Sequence, residues 1–291
     1  MNFIKRNKYV VVFTALLTAV LHASTPFADE INSQEELIRM GVFPIVSGVA
    51  LFKRFAPLKD HIEKELGREI KLETARDFPT FVRRTADKNY DIVITAPHFS
   101  VLAADSGDYQ IVARPKRNLV SLIVVAKSSK LTTLSQLAGK KIATPPVPAL
   151  TTRSGKRYLA QEGLKQKQIP TYVPFKSHNA AYQSVLIKDT DAAIVSINAV
   201  NKALDKGIPL RIIGKVPVLP AMATLVSTRF SDEFAMRVEK ILVAMDTTEE
   251  GRIALKKVGF PGYWSARLKD YEPVRPYKPK SANIGKKKKK N

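Results

Sequence analysis

The chain has 291 residues, 45% of them hydrophobic, and a formal net charge of +22 from 48 Lys and Arg against 26 Asp and Glu. That length and apolar content can bury a sizeable core as one large domain or two lobes, which excludes a fibrous or wholly disordered chain. Because there is no cysteine, disulfides, a thiolate nucleophile and a lipid-modified cysteine at a processing site are excluded as well.

The amino terminus runs from the cationic MNFIKRNK through the apolar YVVVFTALLTAVLHA to the small-residue STPFADE. This is the order of a secretory signal peptide, and the apolar run is shorter than the roughly 20 residues of a spanning helix. Residues 1–28 are therefore expected to be a signal peptide, cut after Ala23 or Ala28, with the product free in a periplasm or outside the cell. Setting aside Lys5, Arg6, Lys8 and the block Lys286–Lys290 leaves a body of about +14. Such a field concentrates anions without naming one. Nucleic acid is not the expected partner, since no basic helix interleaves with aromatics and no zinc finger is present.

Short apolar runs then alternate with helical spacing, which predicts an α/β fold. Ile38–Val42 reads as a strand. Leu51, Phe55, Leu58, Ile62 and Leu66 recur at helical spacing up to Gly67, with the helix starting or kinking at Pro57. A strand over Ile70–Thr74, a helix over Phe78–Thr85 and a buried strand over Asp91–Thr95 follow, and a helix is expected from Phe99. Leu119–Ala126 is a long β-branched run, and Lys141–Ala143 a short strand leading into ATPPVPALTTRSGKRYL. After the helix that ends at Gly163 come a strand near Tyr172, a helix over Asn179–Ile187, a strand over Ala192–Val195 and a helix closed by Gly207. Ile212–Lys215 and Ala223–Ser227 read as the last strands, before a long helix opened by Ser231-Asp232. Past Gly262 the periodicity stops, and residues 276–291 are expected to be a disordered basic tail.

Open parallel sheets bind ligands at strand carboxyl ends, in loops that lead into helices. Five loops qualify: Phe43–Gly48, Thr95–Phe99, Thr144–Ser154, Lys176–Asn179 and Ser196–Asn198. In the third, three prolines stiffen the return, Thr151 and Thr152 occupy capping positions, and the amides of Arg153, Ser154 and Gly155 are expected to be free. Free amides, hydroxyls and the positive helix end together suit a tetrahedral oxyanion, with Arg153 as a forked donor. The alternative is an ordinary threonine cap with solvated basic residues. Lys156 is followed by arginine, not Ser or Thr, and no glycine precedes Gly155 at the required interval, so this is not a nucleotide P-loop. His178 and His98 each stand at a further helix start. No Gly-x-Ser-x-Gly elbow and no metal-spaced pair among His22, His61, His98 and His178 occurs, so no enzyme, cofactor or metal is expected.

In order and spacing, MGVFPI, FAPLKDHIEKELGREIKLETARDF, YDIVITAPHF, SLIVVAKSSKLTTLSQLAGKKIATP, TRSGKRYLAQEGL and SHNAAYQSVLIKDTDAAIV resemble the phosphonate, phosphate and phosphite solute-binding proteins of ABC transporters. The resemblance covers roughly Ile38 to Leu225 and implies a type II periplasmic-binding fold. That fold has two lobes, each a mainly parallel sheet flanked by helices, joined by two crossing strands and closing on a small oxyanion. Lobe 1 is expected over 29–119 and 214–275, and lobe 2 over 120–213. The family's Ser-Thr-Ser-Gly helix start falls on Thr152-Arg153-Ser154-Gly155 and its His-Asp pair on His178-Asn179. Its aromatic first loop falls on Pro44-Ile45, and its Gly-Pro turn on Ala96-Pro97-His98-Phe99.

The ligand-binding set implied is Ile45, His98, Thr151, Thr152, Arg153, Ser154, His178 and Asn179. Ile45 stands where tyrosine is common, Arg153 where a small hydroxyl is, and Asn179 where an acid could neutralise a ligand amine. Loss of that acid points away from an aminoalkylphosphonate and toward phosphate or phosphite. The expected partners are a small oxyanion and an inner-membrane ABC permease, with the protein a monomer. The alternatives are a ligand-sensing clamshell for a membrane sensor kinase and a basic surface-adhesion protein.

Overall fold

The computed structural model describes residues 37–165 and 168–279; the expected signal peptide, its cleavage sites and the lysine block lie outside the described residues. Alternating apolar runs build β1 (Ile38–Val42), α1 (Gly48–Leu66), β2 (Ile70–Glu73), α2 (Phe78–Ala86), β3 (Ile92–Thr95), α3 (Pro97–Asp105) and β4 (Tyr109–Pro115). Next come β5 (Asn118–Leu119), β6 (Ser121–Ala126), β7 (Lys141–Thr144), α4 (Leu150–Gln161), β8 (Thr171–Pro174), α5 (His178–Leu186), β9 (Ala192–Ser196) and α6 (Ile197–Leu204). The chain finishes with β10 (Leu210–Lys215), β11 (Leu219–Pro220), β12 (Ala223–Ser227), α7 (Asp232–Ala244), α8 (Glu249–Val258), β13 (Tyr263–Ser265) and a 3-10 segment over Leu268–Tyr277.

Two sheets result, in the orders β13-β4-β12-β3-β1-β2 and β10-β6-β9-β7-β8. The α/β architecture is as expected, but both sheets are mixed. Parallel pairing is confined to β2-β1-β3 in the first and β8-β7-β9 in the second. β4, β12, β6 and β10 pair antiparallel with their neighbours. The reason is connectivity: parallel neighbours need a crossover helix, whereas these four strands feed the passages between the sheets and are under no such constraint. The two passages touch, because β5 and β11 pair antiparallel as a short ribbon.

Each sheet is buried on both faces. α1, α7 and α8 cover one face of the first, with Phe55, Leu58, Val238, Leu242 and Leu255 meeting Met40, Ile92 and Ile94. The inner stripe of α1 holds the five apolar positions its spacing predicts, and the helix starts well before Pro57 and runs through it. Phe81, Val101, Tyr271 and Val274 cover the opposite face. On the second sheet α5 and α6 cover one side, and Leu137, Leu159 and Leu164 the other.

Periodicity missed β4, α8 and β13, among others. β4 has no clean alternation; α8 is polar, and is held by a Thr248 cap, Glu249 and Glu250 in its first turn and Lys256 and Lys257 in its last. β13 follows β12, so the latter is not the last strand. Order also continues past Pro276 to residue 279, because Tyr271 and Val274 are buried, the Tyr271 hydroxyl donates to the Ala221 carbonyl at 3.1 Å, and Arg275 pairs with Asp105. Apolar anchors in a proline-rich stretch, not helical spacing, fix this segment.

Candidate functional site

β1, β3, β7, β8 and β9 each run into a loop and then a helix, and residues of all five loops line one cleft of about 570 Å³. Five helix amino termini therefore contribute to it, through Ser47 of α1's cap, Pro97 of α3, Thr151 of α4, His178 of α5 and Asn198 of α6. Each carries the partial positive charge of unpaired first-turn amides. Among the lining residues the charged ones are Lys176 and Arg117, and none is Asp or Glu. Arg117 is turned away, donating to the Gly259 carbonyl at 3.1 Å and lying 4.7 Å from the Phe260 ring centre.

The caps differ in a way that matters. Ser177 and Ser196 spend their side chains capping α5 and α6, by accepting from the amides of Ala180 and Ala199. α1, α3 and α4 have no side-chain cap, and two of their cap residues are alanines, Ala96 and Ala149. In α4 the first intrahelical bond runs from the Arg153 amide to the Ala149 carbonyl at 3.1 Å, so the amides ahead of it are those of Leu150, Thr151 and Thr152. All three residues are buried. A buried, uncapped helix start calls for a partner that the adjoining cleft can admit.

This corrects the sequence expectation by two to three residues. The helix begins at Leu150, directly after Pro148-Ala149, so Arg153, Ser154 and Gly155 lie inside it. Thr152 donates from Oγ1 to the carbonyls of Pro145 and Pro146, at 3.0 and 3.2 Å, which fastens the helix to its proline loop. Ser154 donates back to the Thr151 carbonyl at 3.3 Å. Gly155 allows close packing, since a Cβ there would lie 2.5 Å from Cγ2 of Ile194 on β9. Arg153 reaches the Tyr277 carbonyl at 3.2 Å, away from the cleft. Of the α4 residues named from sequence, Thr151 lines the cleft and Thr152, Arg153 and Ser154 do not.

Both histidines line it and both are neutral. His98 is fully buried, and its Nε2 lies 3.0 Å from the Pro148 carbonyl, which can only accept, so the hydrogen is on Nε2. Burial, reinforced by the nearby Arg153 charge and opposed by the Pro148 bond, lowers its pKa to about 3. His178 accepts the Ser196 amide at Nδ1, at 3.1 Å, so its hydrogen is also on Nε2. Burial pushes its pKa down to about 4. Ile45 lines the cleft, whereas Asn179 is exposed and does not. Lys176 and Asn198 lie in loops that strand order had marked; Phe78, Leu119 and Met222 also line the cleft and carry no local signal.

The fold recurs among solved structures. PhnD1 from Prochlorococcus marinus, solved in complex with methylphosphonate, matches with a TM-score of 0.71 at 17% identity, covering 83% of this chain and 96% of that one. A Xanthomonas citri protein bound to ATP matches with a TM-score of 0.71 at 16% identity, covering 83% and 98%. The binding protein component of an ABC phosphonate transporter from Pseudomonas aeruginosa matches at 0.66 and 16% identity, covering 83% and 85%. A family model described as "ABC transporter, phosphonate, periplasmic substrate-binding protein" matches residues 40–271, most of the chain. The chain belongs to this family of periplasmic solute-binding components of phosphonate ABC transporters.

Proposed function

We propose that the protein captures a small tetrahedral oxyanion of phosphorus in the cleft between its two sheets and delivers it to an ABC permease in the inner membrane. The observation that carries this reading is the convergence of five helix amino termini, three without a side-chain cap, on a cleft lined by no carboxylate. The first-turn amides of α4, α5 and α6 hold the oxygens, with Thr151 and the Nε2–H of His178 as further donors. His98 supports the α4 loop through Pro148. Mobility of 116–120 and 216–222, the passages joined by the β5–β11 ribbon, lets the two lobes close over the ligand. The protein acts as a monomer and catalyses no reaction.

Isothermal titration of the purified protein with phosphate, phosphite, methylphosphonate and sulfate tests this. Binding of at least one phosphorus oxyanion at a single site is expected; a folded sample that binds none of them contradicts it.

A further inference from the structure

The two walls of the cleft differ in chemistry. On the side of the second sheet stand Thr151, Lys176, His178 and Asn198 at the starts of α4, α5 and α6. On the side of the first sheet the starts of α1 and α3 reach the cleft at Ser47 and Pro97, and the side chains beside them are Phe43, Ile45, Val46, Phe78 and Met222. Of the polar side chains on that side, His98 donates from Nε2 to the Pro148 carbonyl, Arg117 donates to the Gly259 carbonyl and Asn118 accepts from Arg114, which leaves the Ser47 hydroxyl as the small polar group among these apolar ones.

This apolar wall is preformed. Phe43 stacks on Phe78 with ring centres 4.4 Å apart, and meets Phe81 and Phe99 at 5.7 and 5.4 Å. An aromatic cluster so tied is a rigid surface, and contact with it costs little ordering. At its rim Ile45 and Val46 are 36% and 39% exposed, side by side and facing the cleft. Adjacent exposed apolar side chains inside a concave site mark a contact surface. A bare phosphate fills a small part of about 570 Å³ and leaves that wall wet.

Resting on the proposed function, we infer that the ligand is a phosphonate carrying an uncharged apolar substituent larger than methyl, such as an aryl or branched alkyl group. The second-sheet helix starts hold its oxygens, and the substituent lies against Ile45, Val46, Phe78 and Met222. This differs from the sequence expectation, which leaned toward a plain phosphate or phosphite. The lining offers no carboxylate to an ammonium group, so aminoalkylphosphonates are disfavoured by the same surface.

The test is titration calorimetry with phenylphosphonate, methylphosphonate, 2-aminoethylphosphonate and phosphate, on the wild type and on Ile45→Ser, a substitution at a partly exposed side chain. Phenylphosphonate is expected to bind at least about tenfold more tightly than methylphosphonate, and 2-aminoethylphosphonate more weakly than methylphosphonate. Ile45→Ser is expected to lower the phenyl-to-methyl preference by about threefold or more, since it removes apolar contact from the substituent. Phosphate or methylphosphonate binding as tightly as phenylphosphonate overturns the inference and leaves oxyanion capture intact. Failure of all four ligands overturns the proposed function itself.

Discussion

The Ser196 amide donates to Nδ1 of His178 at 3.1 Å, tying the first residue of α5 to the last residue of β9. One bond thereby aligns two helix starts and fixes the imidazole hydrogen on Nε2. His178→Ala removes both the tie and the donor. Its methylphosphonate affinity is expected to fall by about 1.5 kcal/mol or more, roughly tenfold, as for a hydrogen bond to a charged group. Titration calorimetry, with circular dichroism to confirm the fold, measures this.

Buried His98 and half-buried His178 both make the ligand-free fold sensitive to acid. Their folded pKa values lie near 3 and 4, below the ordinary 6.5, so the unfolded chain takes up protons first as pH falls. Their neutral burial is fully tolerated above about pH 6.5, and stability is lost from there down to pH 4 for His178 and further for His98. The loss by pH 4 is expected to be on the order of 3 kcal/mol for His98. Urea unfolding at pH 7 and pH 4.5 should show it, and His98→Gln should flatten the dependence.

Gly155→Ala would set a methyl 2.5 Å from Ile194 Cγ2 and 2.8 Å from its Cδ1. α4 must then lift from β9, at a cost of about 1–3 kcal/mol. Denaturant unfolding should report this, and Ile194→Ala in the same chain should recover part of the loss because the clashing atoms are gone.

Thr151 and Ser154 separate cleft from core. Thr151 lines the cleft, and Ser154 turns back to the Thr151 carbonyl. Thr151→Val is expected to weaken methylphosphonate binding by about 1.5 kcal/mol if its hydroxyl meets the anion, and Ser154→Ala by less than about twofold. Equal losses from both variants would remove this assignment. A direct role for the Ser154 hydroxyl was the sequence expectation, and the earlier start of α4 is what displaces it.

Strand ends were the legible part of the site. Apolar runs at Ile38–Val42, Asp91–Thr95, Lys141–Ala143 and Ala192–Val195, with the strand near Tyr172, located the five loops, and all five meet at the cleft. Helix starts were less legible, because Ala96 and Ala149 cap α3 and α4 without a side-chain signal. Threonines at 151 and 152 looked like caps, yet one faces the cleft and the other secures a proline loop. Gly155 was read as a free amide, and its packing against Ile194 depends on a strand some forty residues away. Phe78 and Met222 reach the cleft only through tertiary placement, which no local spacing encodes.

Amide chemical shifts during a methylphosphonate titration of the labelled protein report most directly on the donors. The amides of Leu150, Thr151, His178 and Asn198, first-turn residues that line the cleft, are predicted to show the largest downfield shifts, saturating together at one equivalent. Shifts confined to surface lysine segments, with these first-turn amides unmoved at saturation, would contradict capture by the helix starts.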